Sequence, residues 1–258
     1  MPKCPRCGEE VPEEANFCTN CGFKLEGAEE GIGPEFRAPR MGAMGHLNLG
    51  FQLASMKPMI FAPALLGSLI SIIISRSASG LLGIYRWGFW PGWPSMPPYQ
   101  PETMSLILFS GLLGIIGFIV SYILFFASID MSRDAYFDAP LSLTGSVNYV
   151  LRRIGIFIVA SIVGAIMSIT IILIPAVLLM FVVMVVDETG IGDSLSKAFS
   201  VLTRELGDVI VLIVVSILGS IILGFIPFVG GLLQACLRVV IGLAFIDLYY
   251  LYKKQSRI

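Results

Sequence analysis

Five uncharged apolar runs dominate the chain, at 58–75, 103–129, 154–186, 209–237 and 239–246. A helix needs about 20 such residues to cross the hydrocarbon of a bilayer, where each backbone N–H and C=O must be satisfied within the protein. Runs this long, without strict alternation, predict membrane helices. Composition agrees: 56% of residues are hydrophobic, 14% are charged and mean hydropathy is +0.85, against about 45–50% and about 25% in a soluble domain. With 17 basic and 18 acidic residues the net charge is −1, which leaves no electrostatic footprint for nucleic acid.

Two runs divide. Run 154–186 is too long for one ordinary span and is broken at Ile174-Pro175, since proline removes an internal hydrogen bond and biases its predecessor out of the helix. The stretch "GFIPFVGG" at 224–231 interrupts the next. Six spans result, at about 58–75, 103–129, 153–173, 175–189, 208–226 and 230–251. With the N-terminus inside, Arg37, Arg40, Lys57, Arg133, Arg152, Arg153, Lys197, Arg204, Lys253, Lys254 and Arg257 fall on cytosolic segments, and only Arg76 and Arg86 on outer loops. That asymmetry predicts a cytoplasmic-membrane protein with both termini cytosolic. Met1–Pro12 is polar and lacks the apolar core of a cleavable signal.

The N-terminus reads Cys4-Pro5-Arg6-Cys7-Gly8, then, after ten residues, Cys18-Thr19-Asn20-Cys21-Gly22. Two CxxC knuckles can turn four thiolates onto one ion, which suits a closed tetrahedral zinc site with no position left for water. A redox pair or disulfide is the alternative, and a cytosolic location keeps thiols reduced. The stretch "CPRCGEEVPEEANFCTNCGFKL" resembles the short N-terminal zinc-ribbon family of bacterial and archaeal membrane proteins. That resemblance implies structural zinc on Cys4, Cys7, Cys18 and Cys21. The acidic run Glu9, Glu10, Glu13, Glu14 would repel phosphate, so no nucleic acid is expected and a docked protein partner is. The predicted organisation is a ribbon at 1–25, a Gly-, Pro- and charge-rich linker at 26–44, a membrane domain at 45–252 and a cytosolic tail at 253–258.

A 52-residue shift superposes Leu143 on Leu195, Val147 on Phe199, Gly155 on Gly207 and Ile174-Pro175 on Ile226-Pro227. Each unit is an amphipathic helix followed by a hairpin. In the second unit Leu195, Ala198, Phe199, Leu202 and Leu206 form one stripe and Asp193 fits an N-cap. A fainter copy starts at Leu47, Phe51 and Ala54. The expected fold is therefore an all-α integral membrane protein, a six-helix bundle of repeated amphipathic-helix-plus-hairpin units with a small zinc ribbon. Small residues at helical spacing, such as Gly117 and Ser121 or Ser161 and Ala165, suit close helix packing.

Candidate chemistry is sparse. The single histidine, His46, has no acidic or nucleophilic neighbour in the sequence that would make a triad, so no enzyme is expected. Asp130, Asp187, Glu188, Asp208 and Asp247 fall at inner span ends, where water is expected to reach them. Arg238 is the one charge deep in a span, with Gln234 a turn away on the same face. Its options are to snorkel, to bond carbonyls of the "IPFVGG" turn, or to line an anion or lipid-headgroup pathway. Trp87, Trp90 and Trp93 gather in the outer loop 76–103, as interfacial anchors do, or as a ligand-binding lip.

The order of short helix, Pro-turned hairpin, "VVDETGIGDSLSKAFSVLTRELGDVI" and second hairpin resembles an uncharacterised prokaryotic multi-span family, over residues 45–252. That family is related to the membrane domain attached to some glycerophosphodiester phosphodiesterases. The resemblance implies a six-helix membrane domain without assigned chemistry, and the phosphodiesterase barrel is absent. The expected function is a non-enzymatic scaffold or regulator in the lipid bilayer, docking a protein through its ribbon. Alternatives are a small-molecule, ion or lipid transporter using Arg238, and a membrane-shaping protein.

Overall fold

The computed structural model describes residues 42–82, 101–226 and 229–255. The four N-terminal cysteines, residues 26–41 of the linker, the three tryptophans and Pro227 lie outside the described residues. Among those described, the chain is helical and has no strand. In order the helices are α1 (Ala43–Met56), α2 (Ala62–Leu82), α3 (Pro101–Tyr136), α4 (Leu143–Arg152), α5 (Ile154–Ser168), α6 (Ile174–Val186), α7 (Ile191–Arg204), α8 (Leu206–Gly224) and α9 (Gly230–Gln255).

The breaks have local causes. Pro58 opens a 3-10 turn after α1, and the chain bends by 101° there. Ser142 caps α4, its side chain accepting from the Gly145 N–H at 3.1 Å, and α4 meets α5 at 75°. Pro175 occupies the first turn of α6, where its missing N–H leaves no bond unmade.

Three helical segments, Leu108–Tyr136, Leu206–Gly224 and Gly230–Lys254, are long and apolar enough to cross a bilayer. Each bent pair, α1 with α2 and α4 with α5, passes the same test when its members are joined, and α6 is apolar but has only 13 residues. The surface is the inverse of a soluble protein's. Ile158, Ile162 and Ile166 on α5, and Val214, Ile217 and Ile221 on α8, are exposed. Such a contiguous apolar exterior is what lipid covers.

The core is concentrated towards one end. On α3 nearly every residue from Phe126 to Tyr136 is buried, whereas Leu108, Phe109, Leu112 and Ile115 are exposed. Val239–Tyr249 of α9 and Ala176–Val185 of α6 complete the same mass. This buried end is also the charged end, because the ion pairs described below link α3, α6, α7 and α9 there.

Faces differ from expectation in three places. On α7 Ser194, Ala198 and Val201 are buried and Leu195 and Leu202 pack against the core, while Phe199 points outward, as does Leu206 at the start of α8; an apolar medium on that side leaves such residues no need of the core. Gly190, with no side-chain bond, is the α7 N-cap, and Asp193 sits inside the first turn, where its charge still favours the helix dipole. On α1 the buried face is Ala43, His46, Gly50, Leu53 and Ala54, and Phe51 is exposed. Small residues decide that face: a Cβ on Gly50 would stand 2.7 Å from the Val240 carbonyl oxygen, so only glycine lets α1 cross α9 this closely.

Candidate functional site

Arg238 faces a cavity of about 410 Å³ between α2, α3 and α9. Gly231, Gln234, Arg238 and Gly242 line it from α9 at steps of three, four and four residues, one helical face. Ser121, Ser128 and Ser132 line it from α3, and Ser68 and Ser71 from α2. Between these polar groups lie Ile72, Leu124, Phe125 and Val239. Arg238 and Gln234 are therefore brought together, as their spacing predicts, and the hydroxyls around them come from two other helices. Single-helix periodicity carries no sign of that convergence, although the steps 121, 128, 132 do mark a polar face on α3.

Most small polar groups in the cavity hold one another. Ser71 and Ser121 hydroxyls are 3.0 Å apart, Ser68 donates to the Gly231 carbonyl at 3.1 Å, and Gln234 Nε2 donates to the Ser220 carbonyl of α8 at 2.7 Å. It is Gln234, not Arg238, that satisfies a helix carbonyl. Arg238 is exposed to the cavity and makes no hydrogen bond or ion pair among the described residues. A guanidinium in that position, one turn from Gln234, has donors to spare.

The charged end is organised differently. His46 does have an acidic neighbour in space: its Nδ1 is 2.7 Å from Asp247 Oδ2, across 201 residues of sequence. The Tyr136 hydroxyl donates to the other oxygen of Asp247 at 2.6 Å. Asp208 Oδ2 stands 4.0 Å from His46 Nε2, and Asp208 Oδ1 accepts the Ala43 N–H at 2.8 Å. This clasp ties α1, α3, α8 and α9 together. No nucleophilic hydroxyl or thiol is recorded in contact with His46, and its side chain is 4% exposed, so the arrangement is suited to holding helices rather than reaching a substrate.

Asp130 and Asp247 also correct the expectation that water reaches the acids at span ends, being 0% and 5% exposed. Asp247 is enclosed by His46 of α1 and Tyr136 of α3, and Asp130 has Arg133 one turn along its own helix. Arg133 is the hub. Its guanidinium lies 3.2 Å from Asp130, 2.9 Å from Asp134 and 2.8 Å from Glu188, and donates to the Val185 carbonyl at 3.1 Å. Glu188 adopts a left-handed backbone, φ 54°, and its carbonyl accepts from Arg153 at 2.8 Å. Nearby, Asp187 binds Lys197, Lys253 at 2.9 Å and the Tyr249 hydroxyl at 2.6 Å. Burial alone would raise the Asp187 pKa, but the hydrogen bonds from Lys197, Tyr249 and Lys253 outweigh it and hold the carboxyl below its usual value.

Small residues have the packing role their spacing predicts: Gly117 closes on Ile74 and Gly164 on Val177 and Phe181, and Tyr122 bonds Ser161 at 2.9 Å. Cys236 is half-buried, with no disulfide. Among the described residues no group of three metal-ligating side chains could hold an ion.

A family model for a zinc-ribbon domain matches residues 3–25. That match implies zinc binding by the segment containing Cys4, Cys7, Cys18 and Cys21, all outside the described residues. No curated protein and no solved structure matches the chain.

Proposed function

We propose that the membrane domain binds and passes a small anionic or amphiphilic solute along the α2–α3–α9 cavity, with Arg238 as its charge-recognising group. The observation that carries this reading is a guanidinium with no partner among the described residues, in a cavity with serine and glutamine in its walls, on a helix otherwise apolar for most of its length. Transport sites in membrane bundles take this form, polar groups converging at depth between helices. The reading has no covalent step, and in it the His46 clasp serves as a fastening.

The topology that accompanies it is six spans with both ends cytosolic. Three short helices, α1, α4 and α7, each precede a long helix and a returning one, which is the order of repeated helix-plus-hairpin units. The basic residues Arg133, Arg153, Lys197 and Lys253 share the charged end, which is the cytosolic side by the positive-inside rule. The ribbon then lies in a reducing compartment, where Cys4, Cys7, Cys18 and Cys21 would hold zinc as a structural tie. Four thiolates in two CxxC pairs fit that ion.

A second reading, a scaffold that docks a protein partner through the ribbon, is favoured by the zinc-ribbon match over residues 3–25. The two are separable. Flux of a labelled anionic amphiphile into proteoliposomes should fall to the protein-free rate on Arg238→Ala; flux equal to wild type in that variant would remove the transport reading. Ribbon-dependent recovery of a partner by full-length protein, abolished by Cys4→Ser, would support docking whatever the flux.

A further inference from the structure

We infer that the cavity takes the phosphate-bearing headgroup of an anionic lipid, seated on Arg238 with its acyl chains leaving by the open side of the groove onto the apolar exterior. This names the ligand class of the site proposed above and rests on that reading.

Charge comes first. Arg133, Arg153, Lys197 and Lys253 each have partners within the protein, but Arg238 has none among the described residues. A cation with no internal partner among the described residues gains from an anion that the membrane supplies. A phosphodiester accepts two parallel N–H bonds from one guanidinium, a fit that lysine lacks. Ser128, buried beside it, has a hydroxyl with no hydrogen bond among the described residues, a further donor.

Depth and shape select a lipid over a free ion. Arg238 is eight residues from the start of α9 at Gly230, about 12 Å along the helix, too deep for a headgroup to meet without entering the groove. A volume of about 410 Å³ holds a headgroup and leaves no room for chains. Phe125 lines the cavity and is itself exposed, and the outer surfaces of the two helices carry further exposed apolar side chains, Leu69 and Ile73 on α2 and Phe118 on α3. A soluble anion has no use for that exit, whereas a tailed one does.

The test is native mass spectrometry of the full-length protein after equilibration with equal amounts of phosphatidylglycerol and phosphatidylcholine. Wild type should retain one phosphatidylglycerol in preference by about tenfold, equivalent to roughly 1.4 kcal/mol. Arg238→Ala should erase that preference, and Arg238→Lys should keep part of it. Gly242→Ala, in the cavity wall, is a tolerated neighbour: a Cβ there meets nothing within 4 Å, so this variant should keep the phosphatidylglycerol preference, and its loss there as in Arg238→Ala would overturn the role given to Arg238. Equal retention of both lipids by wild type, or an unchanged preference in Arg238→Ala, overturns the inference. So does displacement of the lipid by millimolar inorganic phosphate, which would make the ligand a free anion. Failure of the parent reading looks different: lipid retained in an Arg238-dependent way with no flux leaves a static lipid site, while flux without lipid retention keeps transport and removes the lipid.

Discussion

The two polar regions of this bundle use the same residue types to opposite ends. At the charged end, Arg133 is surrounded by Asp130 and Asp134 of its own helix and by Glu188 beyond α6, and Asp247 by His46 and Tyr136; charge there is met by charge or by a hydrogen bond from within the protein. In the cavity, Ser68, Ser71, Ser121 and Gln234 are used locally, and among the described residues Arg238 is left over. Burial of charge is expensive unless partners enclose it, so the first region must be satisfied to fold. The second can remain unsatisfied because Arg238 is exposed. On the proposed reading, stability and binding are thereby divided between two regions of the same helices, α3 and α9.

The division can be broken most severely at Arg133. Arg133→Ala would strand three carboxylates, two of them 0% and 5% exposed, and should cost about 3–5 kcal/mol, read as loss of a cooperative thermal transition in detergent. Asp247→Ala comes next. It deprives both His46 and Tyr136 of their acceptor, roughly 1–3 kcal/mol for each group left unpaired, and should free α1 from α9, visible as faster amide exchange over Ala43–Met56.

Acid sharpens the comparison further. The Asp187 carboxyl is held below its usual value, so it contributes stability above the unfolded-state pKa of about 4 that is lost as pH falls through the lower, folded value. The melting temperature should therefore decline below about pH 4, and Asp187→Asn should flatten that part of the decline. The smallest effect belongs to the cavity: Arg238→Ala should change thermal stability by no more than about 0.5 kcal/mol, as expected for a side chain without partners. A large loss there would mean that Arg238 is another fastening and that the two regions do not differ.

Local features were readable in the sequence and distant ones were not. Ile174-Pro175 marks a helix start, the 224–231 stretch separates α8 from α9, and Arg238 with Gln234 share a face, because each depends on residues a few positions apart. His46 looked isolated because Asp247 lies 201 residues away. Likewise, Ser68 and Ser121 become neighbours of Arg238 only when three helices converge. The face of α1 was misjudged for another reason: its contact with α9 is made through Gly50, the absence of a side chain, which an apolar stripe does not register. The zinc-ribbon match rests on a short motif whose four cysteines and their spacing are all local.

The most direct measurement is transbilayer movement of a fluorescent anionic phospholipid in proteoliposomes holding wild type or Arg238→Ala, at a temperature where both are folded. The account predicts movement by wild type, loss of it in Arg238→Ala and an undiminished melting temperature in that variant. Equal rates for the two proteins would contradict it.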